Sequence, residues 1–257
     1  MRIIINGLYG RMGQAVLKSA IEQGHTIAAG IDPLLKEENI PTYTRIDLCT
    51  EKADGVIDFS TTQALPFLLE YGKSRGIPLV LATTGYSLEQ QQSITEAARV
   101  LPIFQSANMS IGVAVLKKLV AQGAKMLGSA FDVEIVETHH RHKVDAPSGT
   151  ALLLYNALQE TISQQGQHAP IPTYGRQGHT GERNPREIGI HAVRGGSVAG
   201  THQVLFLGEN QSITLTHEAT DRNIFALGAM DALQYLIGKK PGIYTMEDLI
   251  EEREGQR

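Results

Sequence analysis

Residues 137 to 151 read ETHHRHKVDAPSGTA, which puts three histidines, an arginine and a lysine in five consecutive positions, two residues after a glutamate and just ahead of a Pro-Ser-Gly-Thr turn. Three kinds of chemistry use such a run: metal ligation, nucleic-acid binding, and the holding of a small anion beside a proton-transfer group. On an extended strand His140 and His142 would share one face, a spacing that suits a metal pair. Arg141 and Lys143 oppose a dication, however, and no nearby cysteine or set of carboxylates completes a shell. No metal is therefore expected. The anion reading accounts for more residues. Pro147, Ser148, Gly149 and Thr150 precede ALLLYNALQETI, so the backbone N–H groups of Gly149 and Thr150 stand at a helix start, where a carboxylate is stabilised by the dipole and by donors that lack intrahelical partners. Lys143 and His140 can hold the rest of that anion. His139, an imidazole with an unperturbed pKa of about 6.5, suits proton transfer at neutral pH. His142 is expected to be an ordinary surface or packed residue.

A second constellation opens the chain. NGLYGRMG sets Gly7, Gly10 and Gly13 at three-residue intervals after the β-branched run ending at Asn6, with Leu8, Tyr9, Arg11 and Met12 between them. Glycines at a strand-to-helix turn allow backbone to approach a pyrophosphate, or serve the turn alone. Asp32 ends the next apolar run, 19 residues after Gly13, where a carboxylate accepts from a ribose hydroxyl. Ala82, Thr83 and Thr84, and likewise Ser106, Ala107, Asn108 and Met109, follow later strand-like runs, at the carboxyl ends where open α/β sheets bind ligands. Asn108 also reads as a helix cap.

The elements that must position these residues fall into two textures. Up to Asn108, short apolar runs (TIAAGID, GVIDFS, PLVLATTG, PIFQSA) alternate with helical patterns at Leu65 to Ser74 and Leu88 to Ala98, which predicts a Rossmann-like α/β domain with a parallel sheet covered on both faces. From residue 109 a helix over Ile111 to Leu127, the strand DVEIVETHH and a helix from near Ser148 precede a polar segment, 163 to 187, that reads as a long loop. IGIHAVRGG, THQVLFLG and SITLTHEAT then follow without helices between them, predicting a second, α+β domain with a mixed or antiparallel sheet. The expected division is 1–108 with 222–257, and 109–221. NIFALGAMDALQYLI is a closing amphipathic helix, and the charged tail EDLIEERE is expected to be exposed. A net charge of −4 gives no general attraction to nucleic acid or an anionic membrane. No apolar run reaches the roughly 18 residues a spanning helix needs. One cysteine, Cys49, cannot form an internal disulfide, and the N-terminal residues lack a signal-peptide pattern, which predicts a reduced, cytoplasmic protein.

Residues 134 to 151, EIVETHHRHKVDAPSGTA, resemble the signature of the 4-hydroxy-tetrahydrodipicolinate reductase (dihydrodipicolinate reductase) family, and GRMG, DFS, ATTG, SANMS, GHTGER, IGIHAVRGG and NIFALGA occur in the family's order. The resemblance implies His139 as catalytic acid/base, Lys143 as proton donor, and His140, Gly149 and Thr150 as substrate ligands. It implies that residues 7 to 12, Asp32, 82 to 84 and 106 to 109 bind the nucleotide. It implies a homotetramer built through the second domain's sheet. The family reaction belongs to the diaminopimelate route to lysine: a small cyclic dicarboxylate loses water, and hydride from NADH or NADPH reaches C4 of the conjugated imine. Tyr9 stands where some members carry lysine, and Pro33 follows Asp32 where others carry arginine. Neither offers a cation to a 2'-phosphate, so NADH is expected to serve at least as well as NADPH. A related amino- or keto-acid dehydrogenase would lack the full run from Glu134 to Ala151, and a silent nucleotide sensor would have no use for His139 and Lys143 beside an anion-binding helix start.

Overall fold

The structure, a computed structural model, describes residues 1–35 and 40–255. Two compact units make up the chain: Met1–Ile111 with the segment from Arg222 onward, and Gly112–Asp221.

The first unit starts with β1 (Arg2–Asn6), α1 (Arg11–Glu22), β2 (Thr26–Ile31), β3 (Thr42–Tyr43), β4 (Gly55–Asp58), α2 (Leu65–Arg75), β5 (Leu79–Leu81), α3 (Leu88–Ala97) and β6 (Pro102–Gln105). The chain returns to this unit with α6 (Asn223–Leu236), β12 (Gly242–Tyr244) and α7 (Met246–Gly255), after elements of the second unit numbered below. All seven strands are parallel, in the order β12-β6-β5-β4-β1-β2-β3. Ile3, Ile4 and Ile5 are fully buried, as a strand covered on both faces requires. The chain order reverses between β1 and β4, so a crevice opens at their carboxyl ends. α6 packs on α1 and across β4, β5 and β6. The tail expected to be exposed is a helix, α7: its charged residues Glu247, Glu251, Arg253 and Glu254 are exposed, while Met246, Leu249 and Ile250 recur at one-turn spacing and are buried on one stripe. The edge strands β3 and β12 went unpredicted, being too short to show a pattern.

The second unit comprises α4 (Ile111–Leu127, its first residue shared with the first unit), β7 (Asp132–His139), α5 (Gly149–Gln164), β8 (Ile171–Thr173), β9 (Glu187–Arg194), β10 (Gly200–Gly208) and β11 (Gln211–Ala219). Its sheet runs β11-β10-β7-β9-β8 and is mixed: β10 is antiparallel to β11 and β7, whereas β9 is parallel to β7 and β8. Leu116 and Val120 of α4 and Leu154 and Leu158 of α5 meet Ile135, Ile190, Val204 and Phe206 in one core, so both helices cover the same face. The segment expected to be a plain loop contains β8. It is fastened by Arg176 and Arg183, which bond Glu134 at 2.9 and 3.2 Å.

The strand expected to include His140 ends one residue earlier. The N–H of Lys143 donates to the His140 carbonyl at 3.1 Å, and the N–H of Arg141 to that of Gly196 at 3.3 Å, so residues 140 to 143 form a turn and the alternation argument pairing His140 with His142 does not apply. Among the described residues no cluster of three His, Cys, Asp or Glu could hold a metal, and no helix is long and apolar enough to cross a membrane.

Candidate active site

In the first unit, β1 gives way to a turn at Gly7, whose φ is +84°. A Cβ at Gly7 would lie 2.7 Å from the Phe59 carbonyl oxygen, and one at Gly13 would lie 2.0 Å from the Gly7 carbonyl oxygen. Only glycine lets this turn nest against the end of β4 and against α1, leaving bare backbone where a pyrophosphate needs it. The N–H groups of Gly7 and Leu8 donate to the Ile31 carbonyl at 2.8 and 3.2 Å, and that of Tyr9 to Asp32 Oδ2 at 3.0 Å. Asp32 Oδ1 accepts from Leu34 N–H at 3.0 Å. The Asp32 carboxylate is thus aimed and nearly buried before any ligand arrives. Leu8 is fully buried, so its contribution to a ligand is limited to its backbone.

Gly7, Gly10, Asp32 and Pro33 line a cleft of about 420 Å³ together with Arg45 and Phe67. Arg45 was not expected. Its guanidinium lies 4.6 Å from the Phe67 ring centroid and is held by Asp47 through Nε at 3.0 Å and a terminal nitrogen at 2.5 Å. Lys36, another cation that could bear on a 2'-phosphate, lies outside the described residues. A second cleft of about 350 Å³ brings together Arg11, Met12, Ala82, Ala107, Asn108 and Met109, with Phe59, Arg222 and Phe225 added. Asn108 lies three residues before the first residue of α4. Its Oδ1 accepts from Ser110 N–H at 2.8 Å, and Ser106 Oγ donates to the Asn108 carbonyl at 2.7 Å, so this segment is a self-fastened turn before the helix. Thr84 is exposed, whereas Thr83 donates its hydroxyl inward to Asp58 Oδ2 at 2.8 Å. Asp58, fully buried, also accepts from Asn6 Nδ2 at 2.7 Å and Ser60 Oγ at 2.5 Å. Burial pushes its carboxyl up, against donors that favour the charged form. The bare turn, the aimed carboxylate and the clefts beside them fit a dinucleotide.

In the second unit, β7 delivers Glu137 and His139 to the same face of its sheet. His139 Nδ1 lies 2.5 Å from Glu137 Oε2. Glu137 is fully buried; Oε1 also accepts from Ser148 N–H at 3.1 Å, and Arg194 at the end of β9 spans both oxygens at 2.7 and 2.8 Å. Burial alone would raise the Glu137 carboxyl, but bonds from Arg194 and His139 hold it below the ordinary carboxylate range. Ser148 is the N-cap of α5, its Oγ accepting from Ala151 N–H at 3.1 Å and lying 3.0 Å from His202 Nε2. Gly149 opens the helix with nothing within 4 Å of where a side chain would stand, and Thr150 follows it in the first turn. Lys143 Nζ rests on Asp145 Oδ1 at 2.8 Å. His202, whose ring centroid lies 5.1 Å from that of His139, is pushed down to about 4, first by burial and then by the neighbouring imidazole. His142 is exposed.

The structure therefore gathers His139, Lys143, Gly149 and Thr150 around one strand end and one helix start, with His140 in the turn between. Sequence reasoning had noticed Glu137 but gave it no role, and it missed Arg194, Asp145 and His202. The only signal for Arg194 was its place in a strand-like run ending in Gly-Gly.

Residues 1–109 match the family description "Dihydrodipicolinate reductase, N-terminus", and residues 112–250 match "Dihydrodipicolinate reductase, C-terminus". A 4-hydroxy-tetrahydrodipicolinate reductase of Caldanaerobacter subterraneus subsp. tengcongensis is 46% identical over 98% of this chain and 99% of its own length, and one of Clostridium novyi is 43% identical over the same shares. Among solved structures, a dipicolinate-bound dihydrodipicolinate reductase from Paenisporosarcina sp. TG-14 superposes with a TM-score of 0.79 at 27% identity, covering 96% of this chain and 98% of that one. With the glycine turn in one matched part and the histidine run in the other, this chain belongs to the dihydrodipicolinate reductase family.

Proposed function

We propose that this protein reduces 4-hydroxy-tetrahydrodipicolinate, or its dehydrated form, to tetrahydrodipicolinate with a reduced nicotinamide nucleotide, as a step toward diaminopimelate and lysine. The observation that carries the reading is the second unit's grouping of a carboxylate-held imidazole, an ammonium and a glycine-opened helix start, which is the equipment for gripping a carboxylate beside a proton-transfer group. When bound, the nicotinamide supplies hydride to C4 of the conjugated imine. The acceptor becomes electron-rich as hydride arrives, so cations and a proton source beside it stabilise that change specifically. His139 acts as acid/base. Lys143 donates a proton and, with His140, bears on the anionic substrate, while Gly149 and Thr150 hold a carboxylate at the first turn of α5. The nucleotide lies along residues 7 to 12, with Asp32 on the adenosine ribose and residues 82 to 84 and 106 to 109 toward the nicotinamide.

NADH serves at least as well as NADPH in this reading. Asp32 accepts from a 2'-hydroxyl but repels a 2'-phosphate, and the cation in the same cleft, Arg45, is already engaged by Asp47. The protein works in the cytoplasm, a setting that suits its single buried cysteine. It assembles as a homotetramer through the face of the second sheet that neither α4 nor α5 covers, where Val136, Thr138, Gln203 and Leu205 stand half-exposed. The deciding assay follows nicotinamide absorbance with enzymatically generated substrate and compares kcat/KM for the two nucleotides. No turnover would end the reading, and a large NADPH advantage would reverse the cofactor preference. Light scattering should give four times the chain mass of 27.9 kDa, and a monomeric mass would refute the assembly.

A further inference from the structure

We propose that Glu137 is the positioning residue of the acid/base: its carboxylate accepts Nδ1–H of His139, leaving Nε2 as the only nitrogen that exchanges a proton with substrate, while Arg194 neutralises that carboxylate so that it orients the ring without trapping its proton. The inference rests on His139 being the acid/base. Glu137 is the residue on which the local structure converges. Its two oxygens receive four donors: the His139 ring, the Ser148 N–H, and both terminal nitrogens of Arg194. A fully buried carboxylate with that many donors has no rotational freedom, so the ring it holds has none either. The same carboxylate ties β7 to the N-cap of α5, which sets the imidazole at a fixed distance from the helix start that holds the substrate carboxylate.

The far nitrogen is also provided for. A Cβ at residue 200 would lie 2.9 Å from His139 Nε2, so the glycine there leaves that nitrogen uncovered. A histidine hydrogen-bonded through one nitrogen has its tautomer fixed at the other. An unopposed buried glutamate at 2.5 Å would do more than orient: it would hold the imidazolium and make the proton hard to release. Arg194 answers this with a bidentate clamp, and is itself anchored to the carbonyl oxygens of Val193 and Asp145 at 2.7 and 2.8 Å. Among the described residues, His202 on β10 packs its ring 5.1 Å from that of His139, and His217 on β11 and Lys143, in the turn that follows β7, bear electrostatically on His202. His202 is driven to its neutral form by burial and so adds no charge at neutral pH.

The test uses the whole enzyme. Heteronuclear NMR of ¹⁵N-histidine-labelled wild-type protein reads the tautomer directly, with His139 assigned by the signal missing in His139→Ala. The expected neutral ring carries Nδ1–H with Nε2 unprotonated, and an Nε2–H tautomer overturns the proposal even if no variant folds. Glu137→Gln should lower kcat about 10- to 100-fold with unchanged affinity for NADH by fluorescence titration. It should also move the pH limb that needs protonated His139 to lower pH. Arg194→Met, which removes the opposite charge, should move the same limb to higher pH. A scaffolding role alone predicts no such opposed shifts. If His139→Ala is crippled while Glu137→Gln retains full turnover and an unmoved limb, the positioning role is wrong. If His139→Ala itself turns over normally, the acid/base reading fails instead.

Discussion

Asp58 offers a quantitative test of how the nucleotide crevice is built. Asn6 from β1, Ser60 just after β4 and Thr83 just after β5 donate to its carboxylate, Tyr86 adds a longer bond at 3.5 Å, and the carboxylate has no exposed surface. Replacing Asp58 by alanine strands the Thr83 hydroxyl and the buried amide of Asn6, although that amide keeps Ser60 Oγ at 2.9 Å as an alternative acceptor. A stranded buried donor costs about 1–3 kcal/mol, so one donor fully lost, one partly lost and a small void together come to about 3–5 kcal/mol. Against a domain stability of about 5–15 kcal/mol that is a large share. Asp58→Asn, which keeps the shape and can accept on one side, should lose about half as much. Thr83→Val removes a single bond, and a double-mutant cycle between positions 58 and 83 should show a coupling of about 1 kcal/mol or more. Urea denaturation with matched m-values measures each variant, and nucleotide titration of those that fold should show weaker binding for Asp58→Asn. If Asp58→Ala stayed within about 1 kcal/mol of wild type, below the cost of one stranded donor, the carboxylate would not be organising the three strand ends.

The remaining predictions concern the second unit, the Asp32 carboxylate and acid stability. His139→Ala and Lys143→Ala should each lower turnover about 10²- to 10⁴-fold with unchanged nucleotide affinity, whereas His142→Ala, at an exposed position, should stay near wild type in the same steady-state assay. Asp32→Asn should raise the NADPH/NADH ratio of kcat/KM about tenfold, the screened Coulomb value for one charge near a phosphate, at the expense of its bond from Tyr9 or Leu34. Glu134 is carried down to about 2 by Arg176, His191 and Arg183, although burial alone would raise it. Its folded-state value lies below the ordinary 4.5, so its contribution is present above that pH and is lost as pH falls toward 2. His202, depressed from 6.5 to about 4, prefers its neutral form in the folded protein, so stability also falls from pH 6.5 toward 4. Thermal melts across pH should show both windows. His202→Gln should flatten the upper one and Glu134→Gln the lower, and a melt profile that neither change alters would refute the assignment.

What the sequence made legible was whatever is written in short range. The helix over Ile111–Leu127 shows in its apolar spacing, and the glycine turn shows because φ of +84° and two sub-3 Å clearances demand glycine at fixed intervals. The run from His139 to Thr150 was readable for the same reason, since a turn and a capped helix start place all of its groups within a few residues of one another. The failures are also local in origin. Periodicity carried β7 one residue too far because it cannot register the turn bond from Lys143 to His140. The charged surface of α7 masked its three-residue buried stripe.

The illegible parts depend on partners far apart in the chain. Arg194 reaches Glu137 across 57 residues and His202 reaches Ser148 across 54, because β9 and β10 flank β7 on opposite sides. No spacing rule foretells which residue of a later strand falls opposite a given residue of β7; the register does, pairing Thr201 with Thr138 and Arg194 with His139. The same strand pairing gives two neighbouring histidines different chemistry. His139 meets a carboxylate clamped by arginine, whereas His202 meets a serine hydroxyl and leaves Nδ1 buried without a partner. Desolvation, which the charge of Glu137 only partly offsets, drives His202 to its neutral form, while Glu137 gives His139 a direct partner at Nδ1. Residue type was visible from the start, but the division of labour between the two imidazoles is set by which strands lie beside β7.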